Sequence, residues 1–266
     1  MARRTGLLII TTLLTAANLT PVAAVSSQAV GGAGEGLEGN RSQREAAAVA
    51  AGQPAAISVA EAPGTVRWIP AYTYNLYRST AFSTQKTFTW CIAAGVQMMR
   101  NYVKGESDHS STTQKKYYDY ARAHDRFPND RFVGSDAQGW AAAATTYTGV
   151  AYTVRVATAY RTALRTAALR MRTTRRPVGM MVARGGHAWI MNGFRATADP
   201  LKVATFEVTD VYISGPLYPI QQSGGYDRPP NTRFSYEYLK QFFLPFRSLP
   251  GENSEIWDQK FLTVTP

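Results

Sequence analysis

The chain contains one cysteine and three histidines among its 266 residues. An internal disulfide is therefore excluded, and Cys and His are too few for a structural zinc site. The lone thiol, Cys91, is then a buried apolar residue, a partner in an intermolecular bond, or a reactive group. A glycine-rich stretch at residues 31–36 follows no predicted strand and opens no predicted helix, so a phosphate-binding loop is not indicated. We expect neither a metal nor an organic cofactor.

Residues 1–24 have the pattern of a secretory signal peptide. Arg3 and Arg4 precede an apolar stretch at residues 6–19, and small residues at 22–24 fit a cleavage site. The stretch is too short to span a bilayer, and no later segment reaches about 18 apolar residues. We expect a secreted protein, extracellular or associated with the cell wall, with no integral membrane segment after signal removal. General secretion is favoured over the twin-arginine route.

Residues 25–66 are rich in Ala, Gly, Ser, Gln and Glu and lack aromatic side chains. Such a composition buries too little apolar surface to order itself, so we predict a disordered linker or a cleavable pro-segment. Aromatic residues become frequent from Arg67 and Trp68 onward. The sequence therefore predicts one folded domain at residues 67–266.

Acidic residues are scarce, with 18 against 29 basic ones and a net charge of +11. Residues 137–198 contain nine arginines and no Asp or Glu. Long-range attraction would hold such a domain near the anionic polymers of a bacterial cell wall, although the same arginines could simply form a solvated surface. Nucleic acid is not an expected partner, because the arginines are not interleaved with stacking aromatics. We expect a monomer.

Hydrophobic spacing predicts helices in the first half of the domain and strands in the second. The predicted helices cover residues 91–103, a segment opened by a capping box at 111–114, a segment opened by another at 135–138 and ended by Gly149, and residues 159–174. The predicted strands cover residues 151–157, 178–183, 187–194, 206–214 and 261–264. This order indicates an α+β fold in which a helical N-terminal half packs on an antiparallel sheet.

Cys91 directly follows Trp90 and begins the first predicted helix. Backbone N–H groups and the helix dipole favour a thiolate at this position. Downstream, Gly185 and Gly186 precede His187 at the start of a predicted strand. A cysteine at a helix start and a histidine at a strand edge are the two parts that activate a thiol. The other two histidines lie in polar segments, which leaves His187 as the candidate partner.

Gln85 precedes Cys91 with five residues between them, and Trp90 stands directly before Cys91. Further on, Gly186-His187 precedes a predicted strand. This set of residues resembles the papain-like cysteine peptidases. The bacterial effector type and the bacteriocin-leader-processing type are the most similar. The resemblance covers residues 85–216 and implies a papain-like fold acting on a peptide or protein substrate. It implies that Cys91 is the nucleophile, that His187 is the general base and acid, and that Gln85 donates to the oxyanion.

In these families an Asp or Asn, commonly just before a proline, orients the imidazole. Here Gly215 precedes Pro216, so the chain departs from that pattern. Asp210 lies four residues before Ser214 on the same predicted strand face, roughly 13 Å further along. We therefore name Ser214 as the candidate orienting residue and expect that Asp210 does not fill this role.

Two alternatives to a secreted cysteine peptidase remain open at this point. The missing carboxylate and the basic surface also fit a catalytically reduced papain-like domain that binds peptides or cell-wall polymers. A transglutaminase-type acyltransferase is the second alternative, because His187, Ala188 and Trp189 also occur in the histidine motif of that family. The separation of 96 residues between Cys91 and His187 argues against it.

Overall fold

The computed structural model describes residues 71–130, 134–220 and 227–266. The predicted signal peptide at 1–24 and the predicted linker at 25–66 lie outside these residues. Within the described part of the chain, no helix combines the length and the apolar character that crossing a membrane requires.

Five α-helices and seven strands make up the described domain. The helices are α1 (Cys91–Lys104), α2 (Ser111–Ala123), α3 (Ala137–Thr148), α4 (Tyr160–Thr174) and the short α5 (Tyr236–Leu239). The strands are β1 (Tyr72–Asn75), β2 (Thr153–Ala157), β3 (Val178–Val182), β4 (His187–Ala196), β5 (Val208–Ser214), β6 (Thr232–Ser235) and β7 (Phe261–Thr265). All four predicted long helices and all five predicted strands are present, whereas β1, β6 and α5 were not predicted.

The starts of α2 and α3 differ by one residue from the predicted capping boxes. The N-caps are Ser110 and Asp136, and each side chain accepts a hydrogen bond from the backbone N–H three residues later. Gln114 does not close a box, because its side-chain amide donates to Gln97 Oε1. Ser and Asp both carry a side-chain oxygen that can accept from a free N–H group at a helix start. Ser110 therefore caps α2 in place of the predicted Ser111, and Asp136 caps α3 in place of the predicted Ser135.

All seven strands belong to one antiparallel sheet with the order β2-β7-β3-β4-β5-β6, and β1 pairs with β4. The first half of β4 lies beside β3, with His187 opposite Val182, and residues 193–196 lie beside β1. This topology confirms the α+β class. His187 consequently stands at the end of the β3–β4 hairpin.

Helices cover both faces of the sheet, which corrects the expectation of a single helical layer. Alternate side chains of a strand point to opposite faces. On one face, Met181, Ala188 and Ile190 share a core with α1, α2 and α3. On the other face, Met180 and Trp189 share a second core with α4.

Trp140 of α3 fixes the distance between α1 and the sheet. Its indole is fully buried, and Cβ atoms at Gly95 of α1 or Gly179 of β3 would press against the ring. The absence of both side chains lets helix, indole and strand pack directly on one another. This packing sets where the first residue of α1 stands relative to the sheet.

Candidate active site

Cys91 is the first residue of α1 and is partly buried at the margin of the first core. The N-cap residue, Trp90, makes no side-chain capping hydrogen bond, and the first turn contains no acidic residue. N–H groups of a first helical turn have no acceptor within the helix, so they favour an anion beside them. The Trp90 ring stacks on Tyr118 with centroids 5.7 Å apart and holds the chain as it enters the helix.

A tight turn places His187 at the start of β4. Ala183, Arg184 and Gly185 all have positive φ, and Gly185 at +93° lies where a Cβ would overlap the Phe246 ring. Glycine is required here both for its backbone angle and for its lack of a side chain. The turn buries the His187 side chain, of which 8% is exposed.

The carboxylate of Asp227 faces the imidazole of His187. His187 Nε2 lies 3.2 Å from Asp227 Oδ1 and 3.1 Å from Oδ2. Trp189 Nε1 donates to Oδ1 at 2.5 Å, and the Leu217 backbone N–H donates to Oδ2 at 2.6 Å. The Asp227 side chain is fully buried, so both oxygens depend on these donors for the hydrogen bonds that water would otherwise supply.

Asp227 faces the imidazole at the place for which the sequence analysis named Ser214, and Ser214 has other partners. Ser214 Oγ donates to Asn192 Oδ1 at 2.9 Å and accepts from the Asn231 N–H at 3.3 Å. Asp210 contacts Arg233 at 3.4 Å and Thr209, in agreement with its expected exclusion from the site.

Ser214 instead belongs to a polar network that anchors the segment carrying Asp227. Asn231, four residues after Asp227, accepts hydrogen bonds at Oδ1 from Asn192 at 2.8 Å and from Asn75 at 2.9 Å. Because Asn192 is fully buried on β4, these bonds tie the segment to the centre of the sheet. The network fixes the end of the segment while Leu217 and Trp189 fix the carboxylate itself.

The surroundings of His187 raise the pKa of its imidazole. Burial lowers the pKa of the imidazole, but hydrogen bonds with Asp227 and with the Cys91 side chain, together with attraction to both groups, outweigh burial and raise the pKa to about 9. Nε2 faces Asp227, and the same ring hydrogen-bonds with the Cys91 side chain. The structure thus brings together two of the predicted site residues, Cys91 and His187.

Gln85 lies in the segment that leads into α1, and only 1% of the residue is exposed. Its side-chain nitrogen donates to the Thr87 and Phe88 carbonyls, each at 2.8 Å. Among the described residues, Gln85 Oε1 is buried without a hydrogen-bond partner. Both amide hydrogens therefore hold the backbone before Cys91, and one of them must be released for Gln85 to reach an oxyanion.

Asp227 and Trp189 were missed as site residues by the sequence analysis. Asp227 follows the end of β5 by 13 residues and belongs to no motif that the spacing reveals. Trp189 offered a signal of a nearby acceptor in the sequence. A buried indole N–H needs a hydrogen-bond acceptor, and Trp189 lies two residues after His187 on the predicted strand. Only the folded chain shows that a single carboxylate serves both side chains.

The described domain is thus an α+β domain with a Cys–His–Asp set at one end of its sheet. Among the described residues, no three His, Cys, Asp or Glu side chains form a group that could hold a metal ion. Comparison with protein-family models, with curated proteins and with solved structures found no match.

The raised pKa of His187 predicts a pH-dependent stability. A group whose pKa is raised from 6.5 to about 9 on folding contributes stability that is fully present below about pH 6.5 and is lost as the pH rises through 9. The contribution is on the order of 3 kcal/mol. The unfolding free energy of the wild type should therefore fall toward that of His187→Gln between these pH values, as measured by urea titration.

The exposed His124 provides a control for this measurement. A His124→Gln variant loses an imidazole elsewhere on the same domain and should follow the wild type across the range. A constant difference between wild type and His187→Gln from pH 6 to 10 would contradict the charged imidazole.

Proposed function

We propose that the protein is a secreted cysteine peptidase of the papain-like type. One observation carries the proposal: a buried imidazole, His187, hydrogen-bonds with the thiol that begins α1 on one side and faces a buried carboxylate on the other. A nucleophile, a base and a group that orients the base are the three parts of thiol activation. The similarity in sequence around Gln85, Cys91 and His187 gives separate support.

In this mechanism the Cys91 thiolate attacks the carbonyl carbon of a peptide bond, and the carbonyl oxygen becomes an oxyanion. His187, protonated and held by Asp227, gives its proton to the departing amine as the C–N bond breaks, which leaves a thioester on Cys91. Neutral His187 then takes a proton from water as the water attacks the thioester. Breaking of the C–S bond releases the acid and restores the thiolate.

The first turn of α1 would stabilise the oxyanion. Backbone N–H groups at a helix start point outward along the axis, and the Cys91 N–H stands beside the reacting sulfur. Gln85 would add a side-chain donor if substrate binding releases one of its two bonds to the 87–88 backbone. Its place six residues before the nucleophile, in the segment that leads into α1, supports this role.

Asp227 bears on the choice among the candidate functions. The lack of a carboxylate directly before Pro216 suggested a reduced domain that only binds. Asp227 supplies a carboxylate beside His187, so that argument for a binding-only domain no longer applies. The basic surface remains compatible with retention at anionic cell-wall polymers, which would place the peptidase rather than replace its activity. A transglutaminase-type enzyme would use the same three residues but pass the acyl group to an amine.

The rate of Cys91 alkylation by iodoacetamide tests the proposal. At pH 6 an ordinary thiol with a pKa of about 8.5 is almost wholly protonated and reacts slowly. We expect Cys91 to react at pH 6 at least about 10-fold faster than free cysteine and to slow markedly in His187→Ala. Incubation with a denatured protein substrate should give cleavage fragments that Cys91→Ser does not give.

Each alternative has its own result in these assays. Fast alkylation without fragments, but with transfer of a labelled primary amine to substrate, would indicate the acyltransferase. Alkylation no faster than that of free cysteine, together with no fragments, would indicate a domain that only binds.

A further inference from the structure

We propose that Trp189 and Gly215 are positioning residues that hold the Asp227 carboxylate in line with His187, an inference that rests on the proposed function. Trp189 does so by donating its indole N–H, and Gly215 by leaving space that a side chain would fill. Both residues act through Asp227.

The distances around Asp227 show which groups hold it. The two short hydrogen bonds, from Trp189 Nε1 at 2.5 Å and from the Leu217 N–H at 2.6 Å, go to different oxygens. His187 Nε2 lies farther away and about equally from both oxygens, at 3.2 and 3.1 Å. Trp189 and Leu217 therefore hold the carboxylate in place, and both of its oxygens face the imidazole.

Trp189 can serve this purpose because of its place on β4. It lies two residues after His187 on β4, and both side chains reach the same carboxylate. The indole is fully buried among aromatic rings, with Phe234 at 5.3 Å and Phe242 at 5.2 Å between centroids. A rigid ring locked on the strand that carries the histidine fixes the carboxylate relative to that histidine.

Gly215 serves the same carboxylate by having no side chain. A Cβ at this position would overlap the Asp227 carboxylate carbon and both of its oxygens. The φ of Gly215 is not among the positive values in the chain, so space and not backbone conformation explains the glycine. The residue that breaks the expected pattern before Pro216 thus makes room for a carboxylate supplied from further along the chain.

Loss of the indole donor should weaken the Asp227–His187 contact. Without Trp189 Nε1, the carboxylate keeps the short hydrogen bond from the Leu217 N–H but loses the other one. It can then turn away from the imidazole. The groups that set the charge of His187 are Asp227 and Cys91. Less support from Asp227 lowers the pKa of His187, so the imidazolium loses its proton at a lower pH.

A pair of tryptophan variants separates this effect from packing. Trp189→Phe removes a buried indole and its hydrogen bond, whereas Trp140→Phe removes an equally buried indole whose Nε1 has no partner among the described residues. Both variants should lose stability. The midpoint of the His187 titration should fall by about one pH unit in Trp189→Phe and stay within about 0.2 of wild type in Trp140→Phe. Equal shifts in the two variants would overturn the role of Trp189.

A double-mutant cycle tests Gly215. Gly215→Ala should lower the midpoint of the His187 titration at least as far as Trp189→Phe, because the new methyl group displaces Asp227. In an Asp227→Ala background, Gly215→Ala should cause no further shift, since the methyl group then fills vacant space. A further shift in that background would mean that Gly215 acts by another route and would remove it from the proposal.

An NMR titration of the His187 ring keeps this inference separate from the peptidase proposal. The midpoint should fall from about 9 in wild type to a lower pH in Trp189→Phe and Gly215→Ala but not in Trp140→Phe. This readout needs neither peptide cleavage nor a reactive thiol. A protein that cleaves no peptide yet shows these midpoints would retain the positioning roles and lose the peptidase function, whereas unchanged midpoints would refute the positioning roles alone.

Discussion

Asp227→Asn is expected to lower kcat/KM for peptide cleavage by about 10²–10⁴-fold. An amide in place of a carboxylate is often a mild change, but here each oxygen accepts a short hydrogen bond from a fixed donor, Trp189 Nε1 or the Leu217 N–H. The new NH₂ group must face one of these donors. The side chain will turn or shift, and His187 loses the partner that holds its ring and stabilises its charge.

Asp210→Asn is the matched control for this substitution. Asp210 lies on β5, and its carboxylate contacts Arg233 at 3.4 Å rather than the imidazole. The change is chemically identical and should leave turnover within about 2-fold of wild type, since Asp210 contacts Arg233 and Thr209 and not the imidazole. Steady-state kinetics on both variants at pH 7 decide the matter. A large loss in Asp210→Asn with normal turnover in Asp227→Asn would return the orienting role to β5.

The sequence analysis names the half of the candidate site that depends on local structure. Cys91 could be placed because an apolar helical repeat begins at that residue, and His187 because two glycines precede a strand. Both assignments rest on neighbours within a few residues. The main helices and strands were predictable for the same reason, since their hydrophobic period is a local property.

The third member depends on contacts between distant segments, which no local pattern contains. Asp227 comes 40 residues after His187 and reaches it only because the chain returns after β5 and is anchored through Asn231. The expectation for Ser214 failed since strand alternation gives a direction but not a partner. Ser214 does point inward, but Asn192 lies there.

The position of α4 was also beyond the sequence pattern. An apolar stripe on that helix predicts a buried face, which Leu164 and Met171 confirm. The stripe does not say which face of the sheet it covers, because β3 and β4 are buried on both sides and offer apolar residues to either. The single helical layer that was expected is in fact two layers of helices around the sheet.

Gln85→Ala is expected to lower turnover by about 10²–10³-fold and also to cost about 1–3 kcal/mol of stability. The loss of turnover follows if the amide donates to the oxyanion during the reaction. The loss of stability follows because the buried side chain holds the carbonyls of Thr87 and Phe88, and both hydrogen bonds disappear. Thermal melting and steady-state kinetics, the latter well below the melting midpoint, measure the two effects separately.

Gln114→Ala provides the comparison that separates the two roles of Gln85. Gln114 is also a fully buried glutamine, and its side chain bonds the neighbouring backbone at the Thr84 carbonyl and the Lys86 N–H. Its removal should cost at least as much stability, because Gln114 makes a third hydrogen bond, to Gln97 Oε1, where Gln85 makes two. It places no amide beside the 87–88 backbone, so turnover of the folded enzyme should fall much less than in Gln85→Ala. Equal losses of turnover would mean that Gln85 acts only by holding the segment before Cys91, and the oxyanion would then depend on the backbone N–H groups of α1.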